Sequence, residues 1–363
     1  MVEVMLSEDW TFADADTQYL THGFHPYPAR MIPQIAKRLI ERYNNTEYGA
    51  GKNAIEEFPV ADYNALKPYL NEVENGNINA LLTEPPLFWA MTRGTTSKSK
   101  FIPITKTDLE EKMKCGPRVF CAYLLQKMRF DILEGTVLNL NFPSVLGKMK
   151  DGKEYGYSSG FYFKTHTAKY GIDIVPDQEK IDPLIGLSKK DWEDRFDLAY
   201  HEALGKNITM ITGVTQVMTQ FATFVKKKHG KYPKQLWDTN VLVCSSTAGI
   251  NTKLKPALKA LYGNVDILEV YGATEGIYGQ QFDRSCVTPN YDIYYFEVEV
   301  KGKIKMLHEM KKREIGKLII SSSLFPRYKI GDLIKCNGSP YFTVIGRDRR
   351  FTVLRHYVES FFY

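Results

Sequence analysis

The sequence predicts an α/β fold completed by a β-rich portion, and two observations support this. From residue 207 onward, stretches with helical periodicity alternate with short apolar runs, an order typical of a parallel sheet covered by helices. Beyond residue 290, strand-like runs follow one another. The 363 residues suit two domains or one large one, and a hydrophobic content of 44% provides for a sizeable core. These values exclude a disordered chain and a small disulfide-stapled protein.

The first 46 residues are predicted to form a separate block. Pro26 and Pro28 favour an extended entry, after which apolar residues recur at helical spacing from Ile32 to Ile40. The polar, glycine-containing stretch that follows suggests a connector. We therefore expect three units: an N-terminal fragment, a main domain, and a hinge with a tail, with bounds 1–46, 47–346 and 347–363.

Within the main domain, each predicted element follows from its own pattern. Short apolar runs bounded by turn residues predict strands, at 87–91, 101–104, 240–244, 265–270, 292–300, 317–323 and 341–346. Apolar residues at every third or fourth position predict helices, at 63–70, 107–132, 189–204, 214–225 and 253–263. Residues 135–175 are rich in Gly, Tyr and Phe and follow neither period, so they receive no assignment.

Charge and cysteine usage limit the partners. The formal charge of +6 allows contact with anionic nucleotides or nucleic acid, but the basic run 226–231 lacks interleaved aromatics and suits a solvated helix end. The five cysteines show no Cys-x-x-Cys spacing, so we expect no structural zinc and reduced thiols in a cytoplasm. No apolar run approaches the ~20 residues that span a bilayer. The first ten residues do not resemble a signal peptide, so no membrane partner is expected. Because the basic run lacks interleaved aromatics, no nucleic-acid partner is expected either.

Three loops follow predicted strands, at the edge where open α/β sheets bind ligands. Loop 91–100 combines Gly, Thr, Ser and Lys, which suits a polyphosphate, although Walker A spacing is absent. In loop 270–276, Tyr271 offers a ring for stacking on a base and Glu275 offers oxygen ligands to Mg²⁺. In loop 325–334, Asp332 can accept hydrogen bonds from two ribose hydroxyls. Taken singly, these loops equally suit a solvated surface loop, a strand exit and a hairpin turn.

In this order the three loops match a known family. Residues from about 55 to 350 resemble the GH3 family of acyl-acid amido synthetases (auxin-responsive promoter family), a branch of the adenylate-forming superfamily. The resemblance rests on four segments: FPVADYNALKPYL at 58–70, LLTEPPLFWAMTRGTTSKSKFIPIT at 81–105, YGNVDILEVYGATEGIYGQQFD at 262–283 and FPRYKIGDLIKCNG at 325–338. It implies the large N-terminal domain of the adenylate-forming fold (GH3-like or acyl-CoA synthetase-like), with a β-rich C-terminal portion and without the family's small C-terminal lid domain.

The resemblance also implies site residues. The family's phosphate loop maps onto Thr92, Gly94, Thr95 and Thr96. The backbone that passes the adenine maps onto Ala248 and Gly249. Contacts to AMP map onto Tyr271 and Thr274, the Mg²⁺ ligand onto Glu275, and the ribose ligand onto Asp332. Arg327 and Arg347 are the expected catalytic residues, facing the triphosphate, and Arg347 also matches the hinge arginine of the superfamily.

The implied chemistry uses ATP and Mg²⁺. A carboxylic acid attacks the α-phosphate, pyrophosphate leaves, and an amine (in relatives of the family, a thiol) then takes the acyl group. Such a reaction needs positioning and charge stabilisation, with no nucleophilic side chain of the enzyme, so His166 and His201 receive no catalytic role. The side chains that select the acid are expected within residues 120–215.

Three departures from the family leave other functions open. Arg93 stands where the phosphate loop usually has Ser, and Ser97 where it usually has Gly, and the chain ends shortly after the hinge-like segment 346–351. The first alternative is therefore a nucleotide-binding remnant that does not turn over.

Residues 10–43 resemble the entry segment of N4-cytosine or N6-adenine DNA methyltransferases, which makes a DNA-binding fusion fragment the second alternative. No AdoMet-binding Gly loop follows, and the only Pro-Pro pair lies in 84–87, which lacks the catalytic acceptor and aromatic residue. The block is therefore expected to have no present role.

Overall fold

The computed structural model describes residues 28–92, 99–282 and 284–359. Its helices, in chain order, are α1 Pro28–Tyr43, α2 Tyr63–Glu74, α3 Lys106–Cys115, α4 Arg118–Lys127, α5 Ser158–Tyr170, α6 Gln178–Ile181, α7 Lys189–Ala203, α8 Thr215–His229, α9 Lys255–Tyr262 and α10 Thr352–Glu359. Its strands are β1 Phe88–Met91, β2 Phe101–Ile104, β3 Thr136–Leu140, β4 Gly147–Lys148, β5 Glu154–Gly156, β6 Ile174–Val175, β7 Ile208–Val214, β8 Val241–Ser245, β9 Asp266–Ala273, β10 Gly276–Gln281, β11 Val287–Pro289, β12 Tyr295–Val300, β13 Lys303–Met306, β14 Ile315–Ser321, β15 Tyr328–Gly338 and β16 Tyr341–Arg347.

A large sheet of twelve described strands organises the molecule. Its order is β13-β12-β14-β15-β16-β11-β10-β9-β8-β7-β3-β6. The five strands from β6 to β9 pair in parallel, and every pairing from β9 to β13 is antiparallel. The last strand in sequence, β16, lies inside the sheet between β15 and β11. The sheet therefore joins a parallel half to an antiparallel half at β9 and β10.

A second, four-stranded sheet has the order β2-β1-β5-β4. Strands β1 and β2 pair antiparallel, with Met91 opposite Phe101, so the loop predicted to hold phosphate connects the two strands of a hairpin. Residues 93–98 of that loop lie outside the described residues. Among the helices that the structure describes, none is long and apolar enough to cross a membrane.

The alternation of helices and strands from residue 207 is confirmed, whereas the predicted helix 107–132 is two helices. Helix α3 ends at Cys115 and α4 begins at Arg118, because Pro117 has no N–H to continue the hydrogen-bond ladder of α3. The unassigned stretch 135–175 contains β3, of which all five residues are buried. A strand covered on both faces shows no alternation, so its periodicity gives no signal.

The N-terminal block is not separate over its described part. Helix α1 places Ile35, Leu39 and Tyr43 in a buried cluster with Phe58 and Tyr295. An amphipathic helix needs a covered apolar face, and the main domain supplies the cover. Residues 28–43 therefore pack into the core of the main domain, and the bound at residue 46 stays a prediction.

Polar contacts fix α1 to the loop that leads from β14 into β15. The Tyr43 hydroxyl donates to the carbonyl oxygens of Ser322 at 2.5 Å and Phe325 at 3.1 Å. The Arg42 guanidinium donates to the Ser323 carbonyl at 2.9 Å and to the Glu84 carboxylate at 2.6 Å. The helix therefore holds a segment that continues directly into β15.

A buried carboxyl group beneath α1 predicts a pH dependence of stability. Burial raises the pKa of Glu111 from 4.5 to about 7, and the nearby Arg38 guanidinium, 3.2 Å away, only partly offsets this. The folded state thus holds the proton more tightly than the unfolded state. We expect the free energy of unfolding to fall as pH rises from 4.5 to 7, by roughly 3 kcal/mol at most. Urea unfolding across this range measures the effect. A Glu111→Gln variant with the same slope as the wild type would contradict the assignment.

Candidate functional site

The centre of the candidate site is the turn between β9 and β10. Strand β9 is the last parallel strand, and after Thr274 and Glu275 the chain reverses, with Ala273 paired to Gly276. The reversal is tight, because a Cβ on Gly272 would lie 2.8 Å from the Gly276 carbonyl oxygen. Glu275 is buried, and its Oε1 accepts a hydrogen bond from the Tyr328 hydroxyl at 2.7 Å. The turn therefore presents a fixed, anionic side chain at the carboxyl edge of the parallel strands.

Asp332 joins two other predicted site residues. Its Oδ2 accepts a hydrogen bond from the Tyr271 hydroxyl at 2.9 Å, and its Oδ1 lies 3.2 Å from the Arg347 Nε. Register explains the second contact, since Asp332 on β15 is opposite Arg347 on β16. Three residues that lie far apart in sequence thus meet where the two halves of the sheet join.

The electrostatics at this junction favour a cation. Burial raises the pKa of Asp332, the Arg347 guanidinium lowers it, and the Glu275 carboxylate raises it again. Two buried carboxylates within electrostatic reach of each other leave an excess of negative charge. Among the described residues, no group of three or more His, Cys, Asp or Glu side chains is placed to hold a metal ion. The donor set suits a hard cation that brings further oxygen ligands with it, such as phosphate oxygens.

Tyr271 occupies a different environment from the predicted stacking platform. The ring is 7% exposed and packs against Phe342 and Tyr278, with centroids 5.6 Å and 5.9 Å away. Burial, together with the adjacent Asp332 carboxylate, raises the pKa of the Tyr271 hydroxyl well above its ordinary value. Tyr271 therefore contributes a neutral hydroxyl that donates a hydrogen bond to Asp332.

The phosphate loop is described only at its base. The Thr92 amide donates to the Lys100 carbonyl at 2.8 Å, and the Lys100 amide donates to the Thr92 Oγ1 at 3.1 Å. These bonds close the loop and fix where it begins and ends. The remaining predicted phosphate ligands are Gly94, Thr95 and Thr96, and they lie outside the described residues. The same holds for Arg93 and Ser97.

Ala248 and Gly249 lie in the loop after β8, beside the end of β9. Gly249 has φ +79°, a left-handed conformation that favours glycine. It immediately precedes a π-helical turn at Ile250–Leu254. Asn251 ties this turn to the sheet by donating to Glu269 at 2.9 Å and Gln281 at 2.6 Å. The loop is thus fixed at the same carboxyl edge as the Glu275 turn.

The two predicted catalytic arginines differ. Arg327 is buried, and its Nε and Nη2 donate to the two carboxylate oxygens of Glu297 at 2.9 Å and 2.8 Å. Its Nη1 donates to the carbonyls of Glu56 and Phe58. Since all three nitrogens are engaged within the fold, these contacts favour a structural role in place of the predicted catalytic one. Arg347 is more than half exposed and contacts Asp332, so it remains next to the site.

One residue that the sequence did not mark lies directly behind the turn. The Lys112 ammonium is completely buried, donates to the Asp108 carboxylate at 2.7 Å, and donates to the Thr274 carbonyl at 3.0 Å. Burial raises the pKa of Asp108 to about 6, although the Lys112 charge lowers it. In the sequence, Asp108 and Lys112 form an ordinary i,i+4 pair of a charged helix, and nothing shows that this face turns inward.

Comparisons with known proteins agree with the resemblance to the GH3 family. The model of the GH3 family N-terminal domain matches residues 24–229. Indole-3-acetic acid-amido synthetase GH3.15 of Arabidopsis thaliana is 20% identical over 87% of this chain and 67% of that protein. Jasmonoyl–L-amino acid synthetase JAR4 of Nicotiana attenuata is 24% identical over 40% of this chain and 28% of that protein. The chain thus spans about two thirds of the first relative and under a third of the second.

Solved structures confirm the predicted fold. The acyl acid amido synthetase AtGH3.15 in complex with 2,4-DB superposes with a TM-score of 0.75 at 16% identity, covering 88% of this chain and 68% of that one. A 2-hydroxyisobutyryl-CoA ligase with 2-HIB-AMP and CoA gives 0.63 at 13% identity, covering 90% and 70%. The fold is the adenylate-forming α/β fold. The family match begins at residue 24, within the segment compared to DNA methyltransferases, so that resemblance has no support and is withdrawn.

Proposed function

This chain belongs to the GH3 family, and on that premise we propose that it activates a carboxylic acid with ATP and transfers the acyl group to an amine. The observation that carries the proposal is the Asp332 cluster, in which a buried carboxylate is held between the Tyr271 hydroxyl and the Arg347 guanidinium. A fixed carboxylate with remaining lone pairs can accept both hydroxyls of a ribose. Its place beside the Glu275 turn supports a nucleotide bound across the junction of the two half-sheets.

The chemistry of the proposed first step is a displacement at phosphorus. A carboxylate oxygen of the acid forms a bond to the α-phosphorus of ATP, and the bond to pyrophosphate breaks. Negative charge on the phosphate oxygens needs fixed cations and N–H donors. Glu275 would hold the Mg²⁺ that accompanies ATP, which supplies charge stabilisation when bound. Backbone amides and hydroxyls of the loop from Thr92 to Lys100 would hold the phosphates.

The second proposed step forms an amide. The amine attacks the acyl carbon of the adenylate, AMP leaves with the bonding electrons, and the amine loses a proton. The GH3 relatives carry the names of amido synthetases, which supports an amine in preference to a thiol. A nucleotide-binding remnant without turnover is not favoured by these relatives.

The experiment that tests the proposal is acid-dependent pyrophosphate release. The full chain is incubated with Mg-ATP and a panel of aromatic, aliphatic and fatty acids, and pyrophosphate is measured with a coupled enzyme. We expect release that depends on at least one acid, and amide product when amino acids are added. ATP binding by calorimetry without release for any acid would contradict the proposal.

Asp332→Asn tests the ribose contact. Asparagine keeps an acceptor for Tyr271 but loses the charge opposite Arg347 and presents an amide to the sugar. We expect the KM for ATP to rise about 10- to 100-fold, since a hydrogen bond to a charged group contributes about 1.5–3 kcal/mol. Asp348→Asn is the matched control, because Asp348 is a third exposed and pairs with Lys317 at 3.0 Å. An unchanged KM in Asp332→Asn would remove Asp332 from the site.

A further inference from the structure

Helix α10 lies on the molecule with its polar side inward. Its half-buried residues are polar and recur at every third or fourth position, and they are Thr352, His356 and Glu359. The Thr352 hydroxyl donates to the Arg347 carbonyl at 2.6 Å. The Glu359 carboxylate pairs with the Lys253 ammonium at 3.0 Å. The helix is therefore attached to the body through polar side chains, and its apolar side faces the other way.

The apolar side of α10 is uncovered in the part of the chain that the structure describes. Of the thirteen large apolar side chains that are exposed there, five lie in or directly before this helix, and they are Phe351, Val353, Leu354, Tyr357 and Val358. Phe351 and Leu354 are 63% and 61% exposed. An amphipathic helix normally buries this side, and a contiguous exposed apolar surface marks an interaction site. These five residues, here called the α10 patch, therefore indicate a partner.

The edge of the α10 patch is basic. Three arginines lie in the helix or directly before it, and they are Arg349, Arg350 and Arg355. The segment 348–359 contains two acids, and both are engaged: Glu359 pairs with Arg355 at 2.9 Å, and Asp348 pairs with Lys317 at 3.0 Å. A two-fold contact with a second copy would bring like charges together, because such a contact pairs a surface with itself. The edge therefore favours an acidic partner over a second copy.

The same chain contains a segment of matching chemistry. Residues 1–27, which lie outside the described residues, contain five acids and no Lys or Arg. They also contain five aromatic residues, and these are Trp10, Phe12, Tyr19, Phe24 and Tyr27. All 48 Lys and Arg and 37 of the 42 acids lie in the rest of the chain, so the formal charge of +6 divides into −5 for residues 1–27 and +11 for the remainder. The segment thus combines apolar groups suited to the α10 patch with negative charge suited to its edge.

We propose that residues 1–27 dock on the α10 patch of the same chain. The segment is tethered to α1, which packs against Tyr295 of β12, and α10 packs against β16. The order β12-β14-β15-β16 separates these strands by three steps, or about 14 Å at about 4.8 Å a step. A flexible chain of this length spans about 29 Å on average, so the tether is long enough. Because both surfaces belong to one chain, their effective concentration is in the millimolar range, and a weak contact suffices.

Trp10 reports docking in the full chain, without ATP or turnover. Its fluorescence is obtained as the difference between the wild type and Trp10→Phe, and its quenching by acrylamide is measured. We expect the quenching constant to be at least threefold lower than that of N-acetyltryptophanamide, and Leu354→Asp should remove most of this protection. Leu187→Asp is the matched control, because Leu187 is 55% exposed in a distant loop, and both variants should keep the wild-type Tm. An unprotected Trp10 in the wild type, or protection that survives in Leu354→Asp, would overturn the proposal.

Charge reversal tests the pairing and light scattering tests the occupant. Replacing Arg349 and Arg350 by Glu should expose Trp10, and adding Asp14→Lys and Asp16→Lys should restore its protection. Protection that is unchanged by the first pair, or not restored by the second, would contradict the charge match. The mass in solution should be that of a monomer, with quenching independent of protein concentration. A dimer that Leu354→Asp dissociates would show that a second copy covers the patch, and binding to phosphatidylserine vesicles that Leu354→Asp abolishes would show that a lipid surface does. Either result would overturn the proposal.

Discussion

Glu275→Gln is expected to lower acid-dependent pyrophosphate release by about 10²- to 10³-fold, the usual effect of removing one group that stabilises transition-state charge. Glutamine keeps an oxygen that can accept from the Tyr328 hydroxyl, which is 2.7 Å from Glu275 in the wild type. The turn should therefore keep its conformation while the site loses one negative charge. The loss should appear mainly in kcat.

The control for this variant is Glu299→Gln. Glu299 is about a quarter exposed, pairs with Lys329 at 3.3 Å and lies on β12, away from the turn. Its replacement should change the rate less than twofold. Circular dichroism and the Tm of both variants should match the wild type within a few degrees. Full activity in Glu275→Gln would show that the turn does not hold the metal that accompanies ATP.

Lys112→Met is expected to cost about 3–5 kcal/mol of folding free energy, because it leaves the Asp108 carboxylate buried without its cation. The ammonium and its partner are 0% and 1% exposed, so solvent cannot replace the lost charge. The substitution also frees the Thr274 carbonyl, so the Glu275 turn should become more mobile. Urea unfolding measures the loss, and amide exchange at residues 273–277 reports the mobility.

The sign of the pH dependence distinguishes this explanation from simple loss of packing. Lys112 lowers the pKa of Asp108, so its removal raises that pKa further above about 6. At pH 5 the carboxyl group is protonated and the variant loses little, whereas at pH 8 it must be buried with its charge. The loss should therefore be larger at pH 8 than at pH 5, and Asp108→Asn in the same chain should restore most of it. Lys106→Met, an exposed lysine on the same helix, should be neutral at both.

The proximity of Asp332 and Tyr271 could be predicted from the sequence, because loops that follow strands collect at one edge of a sheet. Asp332 and Tyr271 are 61 residues apart, yet their loops were assigned to one ligand and their side chains form a hydrogen bond. Lys112 could not be predicted, because burial of a charged residue depends on what packs over the helix. Arg327 belongs to a segment that resembles the family in sequence, and only the structure shows that its guanidinium is paired with Glu297.

The fold class also followed from the sequence, whereas the packing of helix α1 against the main domain did not. A connector of polar residues looks the same whether it separates two units or joins a helix to the core beside it. Helix α1 packs against Tyr295, which lies over 250 residues from the first turn of that helix. Periodicity reports that a helix has an apolar face, and it carries no information about which surface covers that face.

The position of β16 has a consequence for folding during synthesis. This strand pairs with β15 on one side and β11 on the other, so without it the described large sheet is two sheets. Among the described strands it is synthesised last. A sheet that includes strands distant in sequence folds slowly, because the entropy cost of loop closure comes before the stabilising contacts form. The contact between Asp332 and Arg347 forms only once β16 is in register, so the ATP binding proposed above would report that β16 has joined the sheet.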